Sequence, residues 1–352
     1  MNKIGFELYY TAEEIWDHML ADVAVAKQSI EIEQFSFHDD IIGRKFLNLF
    51  EQKLSEGVKI RLLCDGASTT SLFSNYVQSL CDRGLEIILF NKPDILHPRR
   101  WFYRIHKKTM IVDSKIAWVG GLGIKDKFFG RRDTQVRLTG AIVADVRQSF
   151  ELLWQNPNPF AKRIIPVANT IYDGSSFAVN YNGFERKQIY EWMRAVISSA
   201  QHRIYFESSY FFPDLNLFQL ILGKAREGLD VRIIVRGKND EFATLRFAHS
   251  FFEQCLKNNI KIFRYKPKIL HAKTMIIDDT ASVGTSNLDK FSSFYNLEAN
   301  VISSNPEFVM EIARQFFEDL KFCNQLELKD WQKRPILERI LELLTWPFYN
   351  YL

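Results

Sequence analysis

The chain has 352 residues, a length that points to two domains. With 47% hydrophobic and 25% charged residues it has the composition of a soluble globular protein, which excludes disordered and fibrous classes. The net charge of +4 is small but unevenly placed: Lys92–Lys108 carries +5 and Lys257–Lys273 carries +6, in a chain whose remainder sums to −7.

In chain order, Ser29–Phe37 is rich in β-branched and aromatic residues and reads as a strand. A helical stretch closed by Gly57 and a buried apolar strand up to Gly66 follow. Next come a helix over Ser71–Arg83 and a strand over Leu85–Phe90. After a basic, aromatic loop (Ile95–Arg104), a strand is expected around His106, and Ile116–Ile124 is a short buried-strand candidate. Asn156–Pro166 contains three prolines and reads as an extended linker. The pattern then recurs: a strand from His202 to Phe212, a helix closed by Gly228, and a strand ending at Gly237. A helix over Glu241–Asn258 and a strand over Ile260–Tyr265 complete the second copy. Such alternation, written twice, predicts an α/β fold of two tandem domains, 1–160 and 161–352, with the active site between them.

Four cysteines without C-x-x-C spacing argue against a zinc site or a disulfide framework and fit a reducing compartment. The first residues lack a signal peptide's apolar core, and no run approaches the roughly 18 apolar residues of a membrane span. Membrane contact, if any, is expected from the surface. The focused positive charge suggests an anionic partner: phospholipid, nucleic acid or a phosphorylated small molecule.

Each basic segment leads into the same motif. His106, Lys108 and Asp113 recur as His271, Lys273 and Asp278, all three shifted by 165 residues. His and Lys two apart on a strand point to the same side. Two such pairs across a pseudo-twofold axis would bring two imidazoles and two ammonium groups onto one phosphate. One imidazole can then attack phosphorus while the other protonates the leaving alcohol, and the lysines stabilise the developing charge without a metal. Asp133 and Glu298 each lie 27 residues after a motif histidine, placed to hold an imidazole Nδ1. Asp113 and Asp278 complete the catalytic motif, but their place at strand ends suits orienting a loop better than touching phosphate.

The paired motif, with Gly284-Thr285-Ser286-Asn287 after it, resembles the phospholipase D superfamily pattern H-x-K-x4-D followed by G-S-x-N. Ala117–Leu122, Arg132–Thr134, Tyr210–Pro213, Asn296–Val301 and Trp331–Pro335 extend the resemblance to bacterial cardiolipin synthases of the short form without N-terminal transmembrane helices. The resemblance implies a pseudo-twofold pair of phospholipase D-like domains in one chain. It also implies a phosphatidyl-histidine intermediate, with His106 as nucleophile and His271 as acid/base, and no cofactor. By the same resemblance the phosphatidyl group passes to phosphatidylglycerol, peripherally at the cytoplasmic face of a bacterial inner membrane, with no nucleic acid partner. Thr285 stands where the family has serine and keeps the hydroxyl. Gly123 stands where copy one would carry the family asparagine, so Asn287 alone is expected to supply the amide.

Arg99, Arg100, Trp101 and Arg104 mix cations with aromatics before the first motif and are candidates for headgroup contact, with His97 beside them. The C-terminal stretch Pro335–Leu352 places Ile336, Leu337, Ile340, Leu341 and Leu344 on one face and ends in aromatics, which suits an interfacial helix or one packed on the body. Two other classes stay open: a hydrolase or nuclease using the same phosphohistidine chemistry, and a lipid-binding protein with a decayed site.

Overall fold

A computed structural model describes residues 4–69, 72, 74–92, 96–97, 101–158, 169–181, 187–237 and 242–336. Arg99, Arg100, the boundary at 160/161 and the C-terminal stretch beyond Ile336 lie outside the described residues.

The first half is a seven-stranded mixed sheet. Its strands are β1 (Gly5–Thr11), β2 (Ser29–Gln34), β3 (Lys59–Asp65), β4 (Leu85–Phe90), β5 (Thr109–Val112), β6 (Ile116–Gly120) and β7 (Arg132–Thr139). They lie in the order β1-β7-β6-β5-β2-β3-β4. Helix α1 (Ala12–Ala24) leads from β1 towards β2. β2, β3 and β4 run parallel because helices α2 (Ile41–Ser55) and α3 (Asn75–Cys81) return the chain between them. β5, β6 and β7 run antiparallel, so the sheet is mixed, and α4 (Ile142–Gln155) follows β7. The turn after β5 puts Asp113 and Ser114 at φ 52° and 54°, left-handed values that Asp adopts more readily than most residues.

The second half repeats this plan. β8 (Ser175–Asn180), β9 (Arg203–Ser208), β11 (Asp230–Arg236), β12 (Lys261–Tyr265), β13 (Lys273–Ile277), β14 (Thr280–Gly284), β16 (Glu298–Ser303) and β17 (Cys323–Gln325) form a sheet in the order β17-β12-β11-β9-β13-β14-β16-β8. Strand for strand this is the first sheet again, with β17 added at one edge. Two short strands, β10 (Phe211–Phe212) and β15 (Leu288–Asp289), pair separately. The helices of this half are α5 (Gln188–Ser199), α6 (Leu215–Arg226), α7 (Phe242–Lys257), α8 (Lys290–Phe294), α9 (Pro306–Leu320) and α10 (Leu328–Gln332).

Local chemistry explains the helix limits. The Asp40 carboxylate accepts from the Gly43 N–H at 3.1 Å to start α2, and Gly57 past its end takes φ 83°. Asp214 and Gly228 (φ 96°) play the same parts for α6. The helices expected over Ser71–Arg83 and Glu241–Asn258 are α3 and α7. The first is shorter than expected because Ser74 caps it, its hydroxyl accepting from the Val77 N–H at 3.2 Å.

One hydrophobic core spans both halves. Helices α4 and α9 contribute Val146, Phe150, Phe308, Ile312 and Phe316, which pack with Val119 and Val136 of one sheet and Val283 and Val301 of the other. Burying each such side chain contributes about 1.5–3 kcal/mol, so the two sheets share a core of their own. Separate cores lie under the outer helices of each half.

Candidate active site

The two halves also exchange backbone pairs. Ile105 bridges Leu297, and Leu270 bridges Arg132, related by the same 165-residue shift as the motif. The His106 N–H donates to the Leu297 carbonyl at 2.9 Å and the His271 N–H to the Arg132 carbonyl at 2.7 Å. The sequence places each His–Lys pair on a strand. In the structure His106 lies just ahead of β5, Lys108 borders it, and β13 begins at Lys273. The chain there has left its own sheet to pair with the opposite half.

That exchange sets the carboxylates. His106 Nδ1 lies 2.9 Å from Glu298 Oε1, and His271 Nδ1 lies 2.6 Å from Asp133 Oδ2. Each imidazole is therefore held by the other half. A carboxylate only accepts, so Nδ1 carries the proton and Nε2 keeps a lone pair. The Lys108 ammonium donates to the His106 carbonyl at 2.6 Å; Lys273 does the same for His271 and reaches Ser209 Oγ at 3.2 Å.

The two carboxylate arms differ. The Thr285 hydroxyl donates to Glu298 and accepts from the Ala299 N–H at 2.9 Å. In the first half the shorter Asp133 accepts directly from the Thr134 N–H at 2.8 Å. Gly121 takes the place of Thr285 there, and a Cβ on it would collide with Asp133 Oδ1. At Gly123 the family asparagine would have no room, since its Cβ would meet the Phe128 ring at 2.6 Å. Asn287 lines the cavity, and its Oδ1 is buried with no hydrogen-bond partner.

Burial dominates the electrostatics. It pushes the Lys273 ammonium down to about 7 and that of Lys108 down to about 8, with carboxylates opposing. Burial raises Asp133 to about 6. Burial acts upward on Glu298 as well, but His106, Lys108 and the Thr285 hydroxyl outweigh it and hold the group below its usual value. Both histidines are lowered, first by burial; for His271 the cations Lys273, Arg131, Arg236 and Lys108 add to it. In the free protein at neutral pH both imidazoles are therefore uncharged.

Both histidines, Lys108 and Asn287 line one cavity of about 570 Å³. Asp113 and Asp278 do not. Each carboxylate accepts from three consecutive backbone N–H groups, Lys27 to Ser29 and Gln201 to Arg203 respectively, and ties down the entry to β2 or β9. Within the motif these two carboxylates anchor loops and do not touch the cavity.

The two basic segments do not act as a whole. Lys107 is fully buried, with its ammonium 2.8 Å from Glu33 and 2.6 Å from Ser149 Oγ. Arg104 lines the cavity but is paired with Asp65. Lys257 pairs with Glu253 and Lys261 with Asp230, and of the second basic segment none of Lys257, Lys261, Arg264, Lys266 or Lys268 lines the cavity. Trp101 does line it and is half exposed. Sequence reasoning missed Lys125, Lys127, Arg131, Asp289 and Asn296, all in the cavity wall. Aligning the two copies residue by residue between Gly123 and Asp133 would have shown how they differ there.

Comparison with known proteins agrees with this plan. A family model described as "Cardiolipin synthase, PLD-like domain" matches residues 19–154 and 193–320. A cardiolipin synthase of Clostridium perfringens (strain 13 / Type A) is 30% identical over 96% of this chain and 75% of its own length. One from Halalkalibacterium halodurans is 29% identical over 94% and 69%. Among solved structures, a phosphatidylserine synthase from Haemophilus influenzae shares the fold, with a TM-score of 0.73 at 15% identity over 98% of this chain and 93% of that one.

Proposed function

The chain belongs to the family of the cardiolipin synthase phospholipase D-like domain and is a phospholipase D-type phosphatidyltransferase, and we propose that it joins two molecules of phosphatidylglycerol into cardiolipin at a membrane surface. The observation that carries the reading is the pair of imidazoles, each oriented by a carboxylate of the opposite half, in the wall of one cavity.

In this reading His106 Nε2 attacks the donor phosphorus, and the P–O bond to glycerol breaks as His271 gives that oxygen a proton. The ionised Glu298 carboxylate stabilises the cationic phosphoimidazole that forms. Lys108 and the Asn287 amide, in the cavity wall, face the phosphoryl oxygens, and the buried Lys273 ammonium adds positive charge to the site. His271 is uncharged in the free protein, so its proton is taken up together with the anionic substrate, whose charge offsets the surrounding cations. An acceptor hydroxyl then passes its proton to His271 and attacks phosphorus, and the N–P bond breaks to restore neutral His106.

Among the described residues no helix is long and apolar enough to cross a membrane. Trp101 and Phe102, exposed beside the cavity, support an approach from the membrane surface. The test is incubation of the purified protein with phosphatidylglycerol vesicles, following cardiolipin, glycerol and phosphatidic acid beside a nucleic-acid substrate. Cardiolipin and glycerol in equal amounts are expected. Phosphatidic acid alone, or nucleic-acid cleavage without cardiolipin, would sink the reading.

A further inference from the structure

The chemistry-bearing centre is nearly symmetric, but the walls on either side of it are not. Ile124 pairs with Phe37 as Leu288 pairs with Phe211, so Ile124 and Leu288 are equivalent. Lys125 is then equivalent to Asp289 and Lys127 to Phe291. Counting back from Asp133 and Glu298, Arg131 is equivalent to Asn296. All six residues line the cavity. Three cations on one side thus face an acid, a phenyl ring and an amide on the other.

The cationic wall adjoins His271. Phe128 packs against the His271 ring at 5.4 Å between centroids, and the Arg131 guanidinium sits 4.4 Å from the Phe128 centroid. Arg131 is only 4% exposed. The side near His106 has Phe35 in the matching place, 5.1 Å from the imidazole, and its nearby Arg104 is already bound to Asp65. Beyond the motif lysines, the cavity's cations are therefore grouped mainly on the side of His271.

Transfer between lipids involves two phosphates: the one that is transferred and the one the acceptor already carries. The acceptor hydroxyl must enter where the first glycerol left, and the same acid/base group serves both. If His106 is the nucleophile, as proposed above, that group is His271. The acceptor's own phosphate, one glycerol further out, then meets the cationic wall.

We propose that Lys125, Lys127 and Arg131 form the acceptor subsite, binding the phosphodiester of an anionic phospholipid so that its free hydroxyl lies against His271. The opposite wall, Asp289, Phe291 and Asn296, carries no cation and does not compete for that phosphate. The subsite favours transfer to an anionic lipid over transfer to water or a neutral alcohol. This inference rests on the phosphatidylglycerol reading and adds to it which residues choose the acceptor.

The test is a competition on phosphatidylglycerol vesicles containing a fixed amount of ethanol, with cardiolipin and phosphatidylethanol measured together. In Lys125→Ser/Lys127→Ser the ratio of cardiolipin to phosphatidylethanol should fall about tenfold or more, with the loss mainly in KM for the lipid acceptor. Lys125→Arg/Lys127→Arg should keep the ratio within about threefold. Arg131 is left in place because it packs on Phe128. A ratio unchanged in the serine variant overturns the inference while leaving the function standing. Phosphatidylethanol without cardiolipin from the unaltered enzyme overturns the function itself. If added glycerol 3-phosphate, rather than the vesicle lipid, takes the phosphatidyl group in a Lys125- and Lys127-dependent way, the subsite serves a soluble phosphate ester and the lipid assignment fails.

Discussion

Asp133 Oδ2 lies 2.6 Å from His271 Nδ1, although 138 residues separate them and each belongs to a different half of the chain. The reciprocal contact, Glu298 with His106, makes neither half chemically complete alone. Docking of the two sheets through α4 and α9 is therefore a condition of catalysis and not only of stability.

Asp133→Asn should separate activity from stability. An amide beside His271 Nδ1 can donate to it and favour the wrong tautomer, so kcat should fall about 10²–10⁴-fold. The carboxyl is raised to about 6, so the stability it contributes is present below about pH 4 and lost as pH rises through 6. At about pH 7.5 the neutral amide removes that penalty, and the Tm should hold or rise. A large drop in Tm would show that the pair is structural.

Using a phosphatidyl donor with a p-nitrophenol leaving group should distinguish the two histidines. Its departure needs no proton, so His271→Ala should release one equivalent of p-nitrophenol per site and then stall as phosphatidyl-enzyme. His106→Ala should give no burst. Both variants should make no cardiolipin from phosphatidylglycerol. A burst in His106→Ala and not in His271→Ala would exchange the two roles.

The alkaline limb of kcat/KM should lie near pH 7–8, far below the usual lysine value. Burial lowers Lys273 to about 7 and Lys108 to about 8, so charge that stabilises the phosphorane is lost as pH rises through that range. A bound phosphodiester favours the charged lysines, which moves the limb of kcat upward. A kcat/KM profile flat from about pH 7 to 9.5 would contradict this.

Lys107 should govern stability and not lipid binding. Lys107→Met leaves Glu33 buried and without its cation, at a cost of about 3–5 kcal/mol. Adding Glu33→Gln should recover part of this, since the neutral amide can still accept from Thr109, whose hydroxyl donates to Glu33 at 2.7 Å. Denaturant unfolding of the wild type, both single variants and the double variant measures the coupling. Vesicle binding of Lys107→Met at a temperature where it remains folded should be unchanged.

Trp101→Ala should weaken binding to phosphatidylglycerol vesicles by roughly 1–2 kcal/mol, or about 5–30-fold in the partition coefficient. Turnover on short-chain substrate dispersed below its aggregation limit should change far less. Equal losses in both assays would place Trp101 in the substrate site and not at the membrane.

Sequence alone determined much of the chemistry. A 165-residue repeat of His, Lys and Asp is visible without coordinates because each copy folds by the same local rules. Alternating strand and helix signals, Gly57 and Gly228 as helix ends, and the companion positions Asp133 and Glu298 were legible for the same reason. Which carboxylate serves which histidine was not, because a spacing of 27 residues is satisfied equally by pairing within a copy or between copies. Nor could the linear charge count separate Lys107, turned into the interior against Glu33, from Lys108 one residue on, turned into the site. Those outcomes depend on how two sheets dock around α4 and α9. Docking decides which face of each entering strand meets the cavity, and so which charges are neutralised inside the protein and which remain for a ligand.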